Sequence, residues 1–264
     1  MNRMYGAIIG DIVGSRFENI NYRHKNFHLF SNYSCFTDDT AMTVAVAEAL
    51  LTDGNFTAAM QKWGRRYPRA GYGGKFITWI FTPDPKPYGS WGNGSAMRVS
   101  PCALVAGSLE EALALAEKSA VVTHNHPEGI KGAKAVAAAV YMAKTGAGKA
   151  GIRRYIEENF YPLDRTLDEM RPGYRFDASC QGSVPQAIQA FLESKDFEDA
   201  VRNAVSLGGD SDTIAAMAGS IAWGYYSREA GPTPRMREIW QEAAGFLPEE
   251  ILETVRKFSE VVDR

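Results

Sequence analysis

The 264-residue sequence predicts an all-α fold, and three features of the chain support this prediction. Apolar residues recur at helical spacing in one segment after another, as in residues 57–67. Capping residues stand where several of these segments begin, and Ser108 with Glu111 is typical of a capping box. No segment alternates apolar and polar residues with β-branched character, so strands are expected to be absent or trivial.

The predicted helices follow one another along the whole chain. Pro101 kinks one of them or marks a fresh start, because proline disrupts the interior of a helix. Pro127 suits the first turn of an alanine-rich helix, and Asp196 is placed to cap the helix that begins at Phe197. In order, the predicted helices cover residues 4–13, 40–51, 57–67, 95–106, 109–120, 128–144, 149–159, 183–194, 197–206, 213–226, 235–244 and 249–262.

Three segments interrupt this pattern: residues 14–35, 82–94 and 160–182. They are rich in aromatic residues, proline or glycine, which is typical of irregular structure. Long loops inside a helical domain are often functional. None is a Ser/Gly-rich linker, and no tandem repeat is present, so the sequence predicts a single domain over residues 1–264.

The composition is that of an ordinary globular protein, with 45% hydrophobic and 23% charged residues. The net charge of −2 offers no electrostatic footprint for nucleic acid or an acidic membrane surface. The longest apolar run, residues 135–143, is about half a membrane span. The apolar segment near the start is broken by Asp11, which makes it too short for a signal peptide. Three widely spaced cysteines indicate reduced thiols, and we expect a soluble, cytoplasmic protein.

Two short acidic segments, TDDT at 37–40 and DSDT at 210–213, are alike, and each is followed by an apolar, helix-forming run. Each is expected to cap the N-terminus of a buried helix, and taken singly either is explained as a cap. A cap needs only one side-chain acceptor, however, and each segment offers two carboxylates besides hydroxyls. If the two helices pack side by side, four carboxylates converge and repel one another unless a cation lies between them.

The ligand chemistry narrows the choice of metal. An EF-hand is excluded, because no glycine stands at the sixth loop position after Asp210 and Ile221 occupies the twelfth. Zinc prefers Cys and His ligands. Carboxylate and hydroxyl oxygens suit Mg²⁺ or Mn²⁺, and six of them could hold two ions about 3.5–4 Å apart.

Other motifs have both a structural and a functional interpretation. The glycine-rich segments 71–74 and 88–98 are turns, or they bring backbone N–H groups against a phosphate. Trp91 either stacks on a base or sugar or covers the core. The string HNH at 124–126 lacks the context of a nuclease or a zinc site; His126 is assigned to the cap of the following helix. His124 either faces a ligand or is structural, and the local context of Glu18 predicts only a solvated loop residue.

Together these motifs resemble the ADP-ribosylglycohydrolase family. The matching segments, in family order, are GDIVGSRFE, FTDDTAMT, RAGYGG, GSWGNGSAMRVSP, THNHPEG and SLGGDSDTIAAMAGSIAWGYY, within residues 6–226. The resemblance implies an all-α, compact orthogonal helix bundle with a binuclear Mg²⁺ or Mn²⁺ centre in a central cleft. Segments 19–35 and 160–182 have no match and are expected to carry the choice of acceptor. Ser211 stands where the family often has threonine.

The resemblance also implies roles for individual residues. Glu18 matches a flexible-loop glutamate with an acid/base and gating role, and Asp212 is a second catalytic candidate. The metal ligands it implies are Thr37, Asp38, Asp39, Asp210, Asp212 and Thr213. The substrate-binding residues it implies are Gly73, Gly89, Ser90, Trp91, Asn93 and His124.

The implied activity is metal-dependent hydrolysis of the N- or O-glycosidic bond between ADP-ribose and a modified protein side chain such as arginine or serine. One alternative substrate is a small ADP-ribose conjugate or an ADP-ribosylated nucleobase, and nucleic acid is a partner only in that case. Another alternative is a non-catalytic ADP-ribose-binding protein on the same fold. The intact set of six proposed ligands and Glu18 favours an enzyme, with ADP-ribose as its product.

Overall fold

The computed structural model describes residues 4–18 and 20–262, and the regular structure in this part of the chain is helical, without strands. A single isolated bridge joins Gly92 to Ser179. A 3₁₀ turn, Ser15–Phe17, follows the first helix. In chain order the α-helices are α1 (Tyr5–Gly14), α2 (Asp38–Leu51), α3 (Phe56–Arg66), α4 (Gly74–Phe81), α5 (Gly94–Met97), α6 (Ser100–Val105), α7 (Leu109–Val121), α8 (Pro127–Lys144), α9 (Lys149–Asn159), α10 (Leu167–Met170), α11 (Cys180–Leu192), α12 (Phe197–Val205), α13 (Ser211–Ser227), α14 (Pro234–Ala244) and α15 (Glu249–Val262).

The all-α prediction is confirmed, and so are several of the predicted caps. Ser108 Oγ accepts a hydrogen bond from the N–H of Glu111, at 3.1 Å. The Glu111 carboxylate accepts from the N–H of Gly107 rather than from Ser108, so only half of the predicted capping box forms. Asp196 caps α12, and His126 caps α8 through its Nδ1 atom.

The predicted helix at 95–106 is wrong, because the chain forms two short helices there, α5 and α6. Pro101 lies in the first turn of α6, where its missing N–H costs nothing, so the fresh start is the correct alternative. Two helices were not predicted: α4, and α10 inside the segment 160–182. Asn19, part of another predicted irregular segment, lies outside the described residues.

Helix α13 forms the centre of the packing, with every residue from Ser211 to Gly224 buried. It packs against α1, α8, α11 and α12. A helix that is apolar on all sides can be covered completely, which places its N-terminal carboxylates deep in the protein. None of the described helices is both long enough and apolar enough to cross a bilayer. The single-domain organisation stays a prediction.

A seam of glycines lets α1 approach α13 closely. Gly6, Gly10 and Gly14 repeat at four-residue spacing, so all three lie on one face of α1. A Cβ on Gly14 would lie 2.5 Å from the Cα of Asp212, and one on Gly10 would overlap the carbonyl of Ala215. The two helices therefore touch through their backbones, and this contact brings the end of α1 to the start of α13.

Candidate functional site

Six carboxylates within the described chain converge where α1, α2 and α13 meet. Asp11 comes from α1, and Glu18 follows the 3₁₀ turn. The other four lie at or beside two helix starts: Asp38 and Asp39 in the first turn of α2, Asp210 at the N-cap of α13, and Asp212 in its first turn. Helix N-termini favour negative charge, so the fold places these side chains where the backbone helps to hold them.

Asp11 fixes the first acidic segment and was missed by the sequence prediction. Its carboxylate accepts three hydrogen bonds: from the N–H of Thr37 at 2.9 Å, from Thr37 Oγ1 at 2.7 Å and from the N–H of Thr40 at 3.0 Å. Thr37 Oγ1 in turn accepts a 3.3 Å bond from the N–H of Asp39, so Thr37 caps α2 as expected. The signal that could have revealed Asp11 is a lone aspartate inside an otherwise apolar helix.

The second acidic segment follows a tight turn. Gly208 and Gly209 have φ values of 72° and 70°, a conformation that glycine adopts without strain. Asp210 stands at the N-cap of α13 but makes no capping hydrogen bond, contrary to the expectation that its side chain caps the helix. Its carboxylate accepts instead from Asn93 Nδ2 at 2.7 Å. Asp210 therefore connects the start of α13 to the glycine-rich segment.

The two acidic segments are in direct contact. Thr213 Oγ1 donates to Asp39 Oδ2 at 3.1 Å, across 174 positions of sequence. One oxygen from each of Asp11, Asp39 and Asp212 lies within 4.8 Å of the others. The same holds for Glu18, Asp210 and Asp212. Asp212 thus belongs to both groups and links them.

These groups have the chemistry and spacing of a divalent-cation site. Two oxygens on opposite sides of Mg²⁺ are about 4 Å apart, because each Mg–O distance is about 2.0–2.1 Å. Asp39 Oδ1 is buried and has no hydrogen-bond partner among the residues described. A buried acceptor without a partner is unfavourable, and a bound cation would satisfy it. The residues present therefore fit a metal centre.

Burial and mutual repulsion raise the pKa values throughout the cluster. Burial raises the pKa of Asp11 to about 6 and that of Asp38 to about 8, the latter with a further contribution from neighbouring carboxylates. The pKa values of Asp39 and Asp212 lie well above the usual range for the same two reasons. No lysine or arginine in the described ranges forms an ion pair with any of them. The cluster therefore holds either protons or added cations.

A cavity of about 450 Å³ opens above the carboxylates. This volume is in the range of small-molecule sites. Of the predicted catalytic and metal-binding residues, Glu18, Asp38, Asp210, Asp212 and Thr213 line it. Thr37 and Asp39 are buried beside it and are not among its lining residues.

Four of the six predicted substrate-binding residues line the same cavity: Gly73, Ser90, Asn93 and His124. The described lining does not include Gly89 or Trp91. The N–H of Gly89 donates to Asn125 Oδ1 at 2.8 Å, and the side chain of Trp91 is 52% exposed. Assignment of all six to substrate binding stays a prediction.

The cavity also has walls that the sequence prediction did not name. Arg98 is a fully buried cation that lines it, and burial lowers its pKa to about 10. Residues 73–76, at the N-terminus of α4, form another part of the wall. Phe176 and Ala178 reach the cavity from the segment 160–182, which was expected to carry acceptor choice.

Comparison with known proteins agrees with this geometry. A family model described as ADP-ribosylglycohydrolase matches residues 2–262. The chain is 29% identical to ADP-ribosylhydrolase ARH3 of Mus musculus, over 94% of this chain and 88% of that protein. It is 26% identical to ADP-ribosylarginine hydrolase Tri1 of Pseudomonas putida (strain GB-1), over 98% of this chain and 79% of that protein. A solved structure titled ADP-ribosylglycohydrolase-related protein complex superimposes with a TM-score of 0.72 and 26% identity, over 99% of this chain and 98% of the other.

Proposed function

The chain belongs to the ADP-ribosylglycohydrolase family and is a glycohydrolase of ADP-ribose conjugates, and we propose that it releases ADP-ribose from a modified protein side chain by metal-dependent hydrolysis. The observation that carries the proposal is the convergence of six carboxylates, with no ion-paired cation among the described residues, at the base of a 450 Å³ cavity. A protein that only binds ADP-ribose gains nothing from such a cluster, because the repulsion between the carboxylates destabilises the fold.

We assign a pair of divalent cations, Mg²⁺ or Mn²⁺, to the two carboxylate groups. The ligands in this proposal are Thr37, Asp38, Asp39, Asp210, Asp212 and Thr213, and the spacing of the oxygens of Asp39, Asp210 and Asp212 supports it. Cations bound there would supply Lewis acidity and a template for the ribose hydroxyls and the attacking water.

Glu18 is the proposed general acid and base. It lines the cavity, is half-buried, and has an oxygen within 4.8 Å of oxygens of Asp210 and Asp212. Burial, with the charges of Asp210 and Asp11, raises its pKa, which favours a proton available for the leaving group. The same carboxylate then takes a proton from the attacking water. Asp212 is the second catalytic residue of the proposal because it contributes to both carboxylate groups.

The remaining walls suit the rest of ADP-ribose. Cleavage at the ribose carbon builds oxocarbenium character, which nearby carboxylates stabilise. The N-terminus of α4 presents residues 73–76 to the cavity, and the positive end of a helix favours a diphosphate. Ser90, Asn93 and His124 add polar groups to the lining of the cavity.

The acceptor is proposed to be a protein side chain, arginine or serine. Relatives named ADP-ribosylarginine hydrolase and ADP-ribosylhydrolase support this class. We further propose a single domain located in the cytoplasm, which the three free cysteines support. Cell fractionation tests the location, and limited proteolysis that leaves one stable core tests the domain.

The decisive experiment measures ADP-ribose release from arginine-, serine- and nucleobase-linked substrates with Mg²⁺, Mn²⁺ or EDTA. We expect release from one protein linkage, loss of release in EDTA, and a decrease of at least about 100-fold for Glu18→Gln. Glu157→Gln, an exposed surface change on α9, is the control and should retain activity. Full activity in EDTA would exclude the metal centre, and tight ADP-ribose binding without release from any substrate would exclude the enzyme.

A further inference from the structure

Three buried side chains form a line that ends in the cavity: Arg98, Thr123 and His124. They are 1%, 0% and 5% exposed. Arg98 Nη2 donates to Thr123 Oγ1 at 2.8 Å and to the carbonyl of Ser119 at 3.0 Å. Thr123 Oγ1 lies 2.7 Å from His124 Nδ1. Both contacts have the length of good hydrogen bonds.

Arg98, the donor at one end of the line, sets the donor-to-acceptor direction of both hydrogen bonds. A guanidinium only donates, so Thr123 Oγ1 must accept from Arg98. The hydroxyl hydrogen of Thr123 is then directed to His124 Nδ1, its acceptor in the described part of the chain. If Nδ1 carried the proton instead, that hydroxyl would receive two donors and its own buried hydrogen would have no acceptor, which is unfavourable.

The charge of Arg98 acts in the same direction. Burial first, and then the nearby guanidinium, lower the pKa of His124 well below its usual value. The imidazole is therefore neutral, and with Nδ1 as an acceptor its single proton lies on Nε2.

The Nε2–H group of His124 remains available to a ligand. It faces the glycines of the segment 88–98, since a Cβ on Gly94 would lie 3.1 Å from it and one on Gly92 would lie 3.7 Å from it. Within residues 4–18 and 20–262 no hydrogen bond to Nε2 forms, and the ring lines the cavity. The carbonyl of Thr123 also accepts from the N–H groups of Tyr88 and Ser90, at 3.4 and 3.3 Å. Thr123, which orients the imidazole, thus also holds the glycine-rich segment beside the ring through its carbonyl.

We propose that Thr123, held by Arg98, is a positioning residue that fixes the Nε2–H tautomer of His124, so that the ring donates a hydrogen bond to an oxygen of ADP-ribose. This inference rests on the proposed function for the identity of the ligand. The tautomer itself depends only on the hydrogen bonds within the protein, and it can be tested without any ligand.

The first measurement is the ¹⁵N NMR spectrum of the imidazole side chains in the free protein. The chain has four histidines, and the spectrum of His124→Gln identifies the signals of His124 by their loss. We expect a protonated Nε2 and an unprotonated Nδ1 in the wild type and in Thr123→Ser, which keeps the hydroxyl. In Thr123→Val, which is nearly isosteric, we expect mixed or inverted tautomers.

The second measurement is the dissociation constant of ADP-ribose, by calorimetry with Mg²⁺ present. Thr123→Val should weaken binding about tenfold, the value of one hydrogen bond, while Thr123→Ser stays near the wild type. A protonated Nδ1 in the wild type would overturn the inference even if the valine variant failed to fold. So would a valine variant with unchanged tautomer and affinity. A wild type with the expected tautomer but no ADP-ribose binding would refute the proposed function and the assigned ligand, while the tautomer assignment would hold.

Discussion

Replacing Asp212 by asparagine should make the metal-free protein more stable while it destroys the response to metal. Asp212 is 3% exposed and contributes an oxygen to both carboxylate groups. For a structural aspartate the expected result is the opposite, because removing a buried acceptor normally destabilises a protein. The sign of the change therefore separates a metal ligand from a structural residue.

The magnitude follows from the distances. Two unit charges 4.8 Å apart repel by about 3.5 kcal/mol at an effective dielectric constant of about 20. Asp11, Asp39, Glu18 and Asp210 each have an oxygen within that distance of Asp212, although their raised pKa values mean that protons already neutralise part of the charge. We therefore expect a gain of about 1–3 kcal/mol in the free energy of unfolding at pH 8 in EDTA. An Asn Oδ1 can still accept from the N–H of Thr213 as Asp212 Oδ1 does.

The assay is thermal unfolding at pH 8, with EDTA or with Mg²⁺ or Mn²⁺. In EDTA, Asp212→Asn should unfold roughly 2–12 °C above the wild type, at about 2–4 °C per kcal/mol. Added metal should raise the Tm of the wild type and leave the variant nearly unchanged. Asp199→Asn is the matched control: Asp199 is also buried but is paired with Lys25. It should lower the Tm and keep the metal response. A variant that is less stable than the wild type in EDTA and still responds fully to metal would refute the reasoning.

Three further predictions concern the same region. The folded pKa of Asp38, about 8, exceeds its unfolded value, so the native state binds more protons and metal-free stability should fall as pH rises from about 4 to 8; a Tm independent of pH in EDTA would contradict this. Asp11→Ala leaves three donors without their acceptor and should cost about 2–4 kcal/mol in urea unfolding with Mg²⁺ present, where bound cations offset the repulsion that the change would otherwise relieve, whereas a loss under about 0.5 kcal/mol would exclude its role in holding α2. Gly10→Ala should cost more than about 3 kcal/mol or prevent folding, while Gly151→Ala, with open space around its Cβ, should be neutral or stabilising in the same denaturation assay.

The sequence predicted where those parts of the candidate site lie that leave a signal within a few neighbouring residues. Aspartate and threonine crowded at a helix start are visible within four residues, and both acidic segments lie where the pattern indicated. Asp11 and Arg98 were not predicted as site residues, because their partners are distant in sequence: 26 and 29 positions away for Asp11, and 21 and 25 for Arg98. The periodicity of a sequence carries no information about contacts between residues that far apart.

The missed helix α4 has a different cause. Its residues, GKFITWIF, are rich in β-branched and aromatic side chains and have no side-chain cap. Propensity therefore gives no signal for a helix. The buried residues Phe76, Trp79 and Ile80 do follow helical spacing, so burial against the neighbouring helices decides the conformation. A run of eight residues is too short for its apolar spacing to distinguish a helix from a strand.

The glycine seam between α1 and α13 limits which residues around the site can be substituted. Gly6, Gly10 and Gly14 meet backbone atoms, so no single substitution there can be absorbed by a neighbouring side chain. Phe176, which also lines the cavity, is 54% exposed and lies outside the helices, so its side chain can be exchanged without a change in helix packing. A substitution at Phe176 therefore alters the cavity, while the packing of α1 against α13, which positions the carboxylates, stays as it is.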